Sequence, residues 1–175
     1  APVIIEATYF GEELARLARH DPDHFNRWDA LQRLAMRAIL AVLDESWEPD
    51  RARLLLDTFA GLLADPGLDP AFKQLVLTLP AEGFVIEHLE LVDPVAVRAA
   101  LRTVRVAIAR HLQSQWRETA LSTEGEAWSP EPAAAARRAL ANLALGYWAD
   151  AGDPEALEAA RERFERADNM TDRSA

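Results

Sequence analysis

The chain has 175 residues, 50% hydrophobic and 27% charged, which is the composition of a globular domain long enough to bury a sizeable core. Nineteen basic residues stand against 29 acidic ones, a formal charge of −10 that speaks against nucleic acid and against an anionic membrane surface as partners. There is no Cys, so the chain has neither a disulfide framework nor a thiolate metal site.

Residues Ala1 to Ala7 are the only stretch that reads as extended. Pro2 blocks an early helix, and Val3, Ile4 and Ile5 are β-branched. Residues 1–10 are therefore expected to be a linker from a preceding domain, with a helical domain over 11–175. A first helix is predicted from about Glu12 to His20. Asp21-Pro22 then starts a second, to Leu43, with Trp28, Leu31, Ala35, Ala38, Ile39 and Val42 as its apolar stripe. Arg27, Gln32, Arg33 and Arg37 fall outside that stripe. A third helix is expected from Arg51 to Ala64, with Leu54, Leu55, Thr58, Phe59 and Leu62 together.

The stretch from Leu68 to Val97 reads as a hub of short, Pro-punctuated helices. Asp69-Pro70 opens one, since an Asp cap accepts an orphan N–H and Pro at the first position loses no bond. Phe72, Leu75, Val76 and Leu79 follow at helical spacing, and Pro80 stops the segment. Phe84, Val85, Leu89, Leu91 and Val92 follow, and so many apolar residues in so short a span predict burial on more than one side.

Asp93-Pro94 opens what the spacing predicts to be one helix from Val95 to Trp116, with Val97, Leu101, Val104, Ile108, Leu112 and Trp116 inward. A polar loop covers 122–132, with Trp128 expected to anchor it on the core. Helix follows from Ala133 to Ala149, burying Leu140, Leu143, Ala144 and Tyr147. The last helix, Glu155 to Ala167, carries a narrow stripe of Leu157, Ala160, Phe164 and Ala167. Asp-Pro occurs five times, and at least four of the pairs are expected to begin helices. The fold class is all-α, about eight helices in a two-layer, superhelix-like array.

Candidate chemistry is sparse. His20 and His24 flank Asp21 and imitate a metal-binding pair four apart, but Pro22 between them breaks the helix that such a pair needs. His88 and His111 are single and read as structural histidines. Ser46, Ser114, Ser122 and Ser129 lie in no nucleophile turn. Glu12-Glu13 and Glu158 with Glu162 read as solvated faces. No catalytic, cofactor or metal residue is named. No apolar run nears the roughly 20 residues of a membrane span, and the lack of Cys fits a reducing, cytoplasmic setting. Leu145-Gly146 with Ala160, Phe164 and Ala167 imitates part of a tetratricopeptide repeat. That leaves an independent helical interaction module as an alternative, although no second copy appears.

LDPAFKQLVLTLP at 68–80 and LELVDPVAV at 89–97 together resemble the helical C-terminal region of bacterial aminopeptidase N, the zinc-dependent alanyl aminopeptidases. APV at the start, HDPDHFNRWDA at 20–30 and ADNMTD at 167–172 are similar to the same region, in the same order. The family's H-E-x-x-H metal motif and its G-A-M-E-N motif are absent from the chain. The resemblance implies a fragment truncated at its C-terminal end, with zinc and catalysis in a catalytic domain elsewhere in the parent chain. It implies a parent that removes N-terminal residues from peptides, and a helical domain that covers the site and restricts access. It also implies an open edge after Asp172, and hence self-association or fraying at that end.

Overall fold

The computed structural model describes residues 10–167 and Met170; of the linker expected over 1–10, residues 1–9 lie outside them, and Phe10 is the N-cap of the first helix. The described residues form nine helices and no strand. These are α1 (Gly11–His20), α2 (His24–Leu43), α3 (Pro49–Ala64), α4 (Pro70–Val76) and α5 (Glu82–Ile86), then α6 (Pro94–His111), α7 (Gln113–Leu121), α8 (Pro132–Asp150) and α9 (Pro154–Arg166). The all-α class is as expected.

Local chemistry sets most of the helix starts. Asp23, Asp69 and Asp93 each accept two backbone N–H bonds from the first turn of α2, α4 and α6, and Asp153 accepts one in α9. Pro stands at the first position of α3, α4, α6, α8 and α9, where its missing N–H costs nothing. Only three Asp-Pro pairs begin helices, at 69–70, 93–94 and 153–154. Asp21 instead accepts the Asp23 N–H at 2.8 Å, and Asp23 takes over as the cap. Asp65 closes α3.

α2 and α8 are the two axes of the packing. α2 lies against α1, α3, α4 and α6, while α8 lies against α4, α6, α7 and α9. Thus α4 and α6 bridge the two halves. The core runs through both, with Leu14, Leu31, Ile39, Phe59, Leu62, Val76, Leu77, Ile108, Leu112, Trp116, Tyr147 and Trp148 almost wholly enclosed. Tyr147 stacks on Trp116 at 4.5 Å between centroids and meets Phe59 edge-on at 6.4 Å. Its hydroxyl donates to the Leu77 carbonyl at 2.9 Å, tying α8 to the end of α4.

Two polar residues that the stripe of α2 leaves out are buried. Arg27 is 8% exposed and donates from Nε to the Ala18 carbonyl at 2.9 Å, closing α1. Gln32, also 8% exposed, donates to the Thr78 carbonyl at 2.9 Å. Both serve carbonyls at the ends of neighbouring helices. Lys73 does the same for α3 through Leu63, and its burial lowers the amine's pKa, with Asp65 opposing.

The single helix expected from Val95 to Trp116 is two. The ladder breaks at Leu112, whose φ of −114° leaves the helical well. Leu112 and Trp116 remain buried as expected, but the break turns α7 onto α8.

The hub is half right. Phe72, Val76, Leu77 and Val85 are buried and Leu79 is partly so, but Leu75, Phe84, Leu91 and Val92 are open. Trp128 is 46% exposed and lies under the Arg138 guanidinium at 5.8 Å, so it anchors on α8 rather than in the core. On α9, Leu157 and Phe164 point outward, while Ala156, Ala159 and Ala160 with Ala167 are the covered side. Small residues let α9 approach closely, and its larger apolar side chains are left outside. Trp148, on the preceding helix, is 1% exposed.

Candidate functional site

The candidate catalytic groups are not brought together. His20 ends α1 and His24 begins α2, with a non-helical link between them. His24 stacks on Phe72 at 4.3 Å. The His88 Nδ1 lies 2.8 Å from the Phe84 carbonyl, and His111 faces Asp57 at 3.7 Å. Among the described residues no group of three or more His, Asp or Glu side chains could hold a metal ion. No described helix is long and apolar enough to cross a membrane.

A cleft of about 400 Å³ lies between the α7–α8 loop, α8 and α9. Its cations are engaged within the domain. Arg138 donates to the Ser129 carbonyl at 2.8 Å, Arg163 to Asn142 Oδ1 at 2.7 Å and to the Ala120 carbonyl at 2.6 Å, and Arg166 pairs with Glu162. These bonds hold the loop and α9 in place, and they leave the cleft a packing seam. Below it, Asp153 joins three helices, accepting from Trp148 Nε1 at 2.8 Å, Gln113 Nε2 at 2.9 Å and the Glu155 N–H at 3.0 Å. The Trp148 bond, then the Gln113 bond and then the Glu155 N–H hold its carboxyl below the ordinary range.

The described residues also offer open apolar surface. From Leu75 to Val95, five large apolar side chains are 40–90% exposed: Leu75, Phe84, Leu91, Val92 and Val95. Scattered exposed apolar residues are ordinary, but five within one short stretch that folds around α5 mark an interaction edge. The sequence held a signal for part of this. Val97, Ala100, Val104 and Ile108 define the buried face of α6. Val95 lies two residues before Val97, about 200° round the helix, and so must face away.

Comparison with known proteins is consistent over nearly the full length. Residues 11–175 match the family described as Domain of unknown function (DUF3458_C) ARM repeats. The chain is 38% identical over 156 residues to aminopeptidase N of Caulobacter vibrioides, covering 87% of this chain and 18% of that protein. It is 29% identical over 179 positions to aminopeptidase N of Escherichia coli, covering 98% and 20%. A crystal structure of Legionella pneumophila aminopeptidase A in complex with aspartic acid superimposes with a TM-score of 0.84 at 20% identity, over 98% of this chain and 21% of that one. At that identity the superposition shows the fold alone. The chain spans about a fifth of the length of these relatives. It belongs to the DUF3458_C family of ARM-repeat domains and corresponds to a helical region of aminopeptidase N.

Proposed function

We propose that the chain is the helical accessory domain of a zinc-dependent aminopeptidase, one that removes N-terminal residues from peptides in the cytoplasm. Zinc and the catalytic groups belong to a catalytic domain of the parent chain, and this domain covers that site and restricts access to it. The observation that carries the reading is the likeness to aminopeptidase N over nearly the whole of this chain at a fifth of the relatives' length. The open apolar edge from Leu75 to Val95 supports it, because such an edge needs a covering partner. The exposed Leu157 and Phe164 on α9 support a continuation of the array there, since a stacked helical unit buries its apolar side only against a neighbour.

The test joins this chain to the rest of its reading frame and measures hydrolysis of an alanyl chromogenic amide and of longer peptides with zinc. The joined protein is expected to cleave both, and the isolated chain neither. Leu91→Asp with Val95→Asp in the joined protein should loosen the cover and raise the rate on long peptides relative to short ones. Metal-dependent turnover by the isolated chain, after contaminating peptidases are removed, overturns the proposal; so does a joined protein without aminopeptidase activity. In sedimentation the isolated chain should self-associate, and Leu157→Asp with Phe164→Asp should return it to monomer.

A further inference from the structure

A second surface is notable for its charge. From Pro94 to Arg117 the sequence holds five Arg and no Asp or Glu, within a chain whose formal charge is −10. Three of these, Arg98, Arg102 and Arg105, line a notch of about 300 Å³ between α6 and the Thr78–Leu79–Pro80 turn that follows α4. Leu79, Pro80 and Leu101 supply its apolar lining.

The outer two guanidiniums already hold carboxylates. Arg98 donates from Nε and from a terminal nitrogen to Glu82, at 3.3 and 3.4 Å. Arg105 pairs with Asp150 and lies over the Tyr147 ring at 4.5 Å. Arg102, between them, is exposed and makes no ion pair with any described residue. The notch thus presents one unused planar donor, fit for two parallel bonds to a carboxylate, beside an apolar recess.

We propose that this notch docks an extended segment of a partner protein, one that carries a Glu or Asp side chain next to a Leu or Val. The carboxylate meets Arg102 and the apolar neighbour enters the recess between Leu79, Pro80 and Leu101. Charge complementarity selects this occupant. Arg98 and Arg105 are paired, so Arg102 carries the uncompensated positive charge of the notch and attracts an anionic side chain. The recess adds the apolar requirement, which separates this from simple attraction to any anion. The flanking Glu82 and Asp150 set the register, since each blocks an outer guanidinium and leaves the central one to bind.

The test uses fluorescence anisotropy on the 175-residue chain with an acetylated, amidated, fluorescein-labelled peptide of three Glu-Leu pairs. Controls are the Gln-Leu and Glu-Ser versions. The Glu-Leu peptide should bind about tenfold more tightly than either control, in line with a charge-assisted pair. Arg102→Gln should remove that margin without moving the thermal midpoint, and Arg110→Gln, on the same strip but outside the notch, should leave it intact. Equal binding of Glu-Leu and Gln-Leu, an unchanged affinity in Arg102→Gln, or equal losses from Arg102→Gln and Arg110→Gln overturns the proposal. A Gln-Leu peptide with a free C-terminal carboxylate that binds more tightly than the Glu-Leu peptide makes the occupant a chain end and overturns it as well.

Discussion

Tyr147→Phe removes one oxygen from the centre of the molecule. The ring keeps its stack on Trp116, its edge contact with Phe59 and the Arg105 guanidinium over its face. What is lost is the bond to the Leu77 carbonyl, in a place where both residues are wholly buried. Leu77 closes α4, so its carbonyl has no partner further along that helix. A buried acceptor left without a donor costs about 1–3 kcal/mol. For a chain of this size that corresponds to about 2–4 °C of melting temperature per kcal/mol. Urea unfolding followed by circular dichroism should show a lower midpoint with an unchanged slope. The same hydroxyl sets an alkaline signature. Burial raises its pKa above the ordinary tyrosine value, with Arg105 opposing and Asp150 adding to it. The folded state therefore holds the proton more firmly than the unfolded one. The contribution is complete below a pH of about 10 and is lost as pH rises beyond it. Wild-type stability should fall there more steeply than that of Tyr147→Phe. An unchanged urea midpoint together with parallel alkaline limbs would show that the Leu77 carbonyl finds another donor and would refute the reasoning.

In the hub, Leu77→Ala should cost about 2–5 kcal/mol, because Leu77 is fully enclosed, and Leu79→Ala less, because Leu79 is only partly buried; equal urea midpoints for the two variants would contradict this ranking. Asp93→Ala should cost about 0.5–2 kcal/mol through loss of the α6 cap, with hydrogen exchange rising first at Val95 and Ala96, and Asp93→Asn should restore most of it. Asp153 has a depressed folded pKa, so its contribution is present above the ordinary value of 3.8 and is lost as pH falls below it. Asp153→Asn should flatten the acid limb of a tryptophan-fluorescence titration, and superimposable acid limbs would rule the linkage out.

The elements that local chemistry governs were legible in the sequence. Asp69-Pro70, Asp93-Pro94 and Asp153-Pro154 open helices because cap and fixed φ act within three residues. Likewise α8 follows from its alanine run. Burial of Arg27 and Gln32 was not legible, since their acceptors, Ala18 and Thr78, lie 9 and 46 residues away and are set by packing. Periodicity found the stripe on α9, but it cannot say which side a neighbour covers, and the alanine side won. No Pro or Gly announces the break at Leu112. The candidate site was legible only as an absence of catalytic motifs. The open edge and the Arg102 notch depend on residues from α4, α5 and α6 meeting in space.

The break at Leu112 also bears on shape. In an array of stacked helices, the direction of each unit relative to the last decides whether the whole is straight or bent. A continuous rod from Pro94 to Leu121 would carry the direction of α6 unchanged into α7. The interruption instead sets a new heading, and α7 with α8 then leads into α9 along it. The break at Leu112 is therefore one of the points that set the arc of a longer array built on this chain, and small-angle scattering would read that curvature.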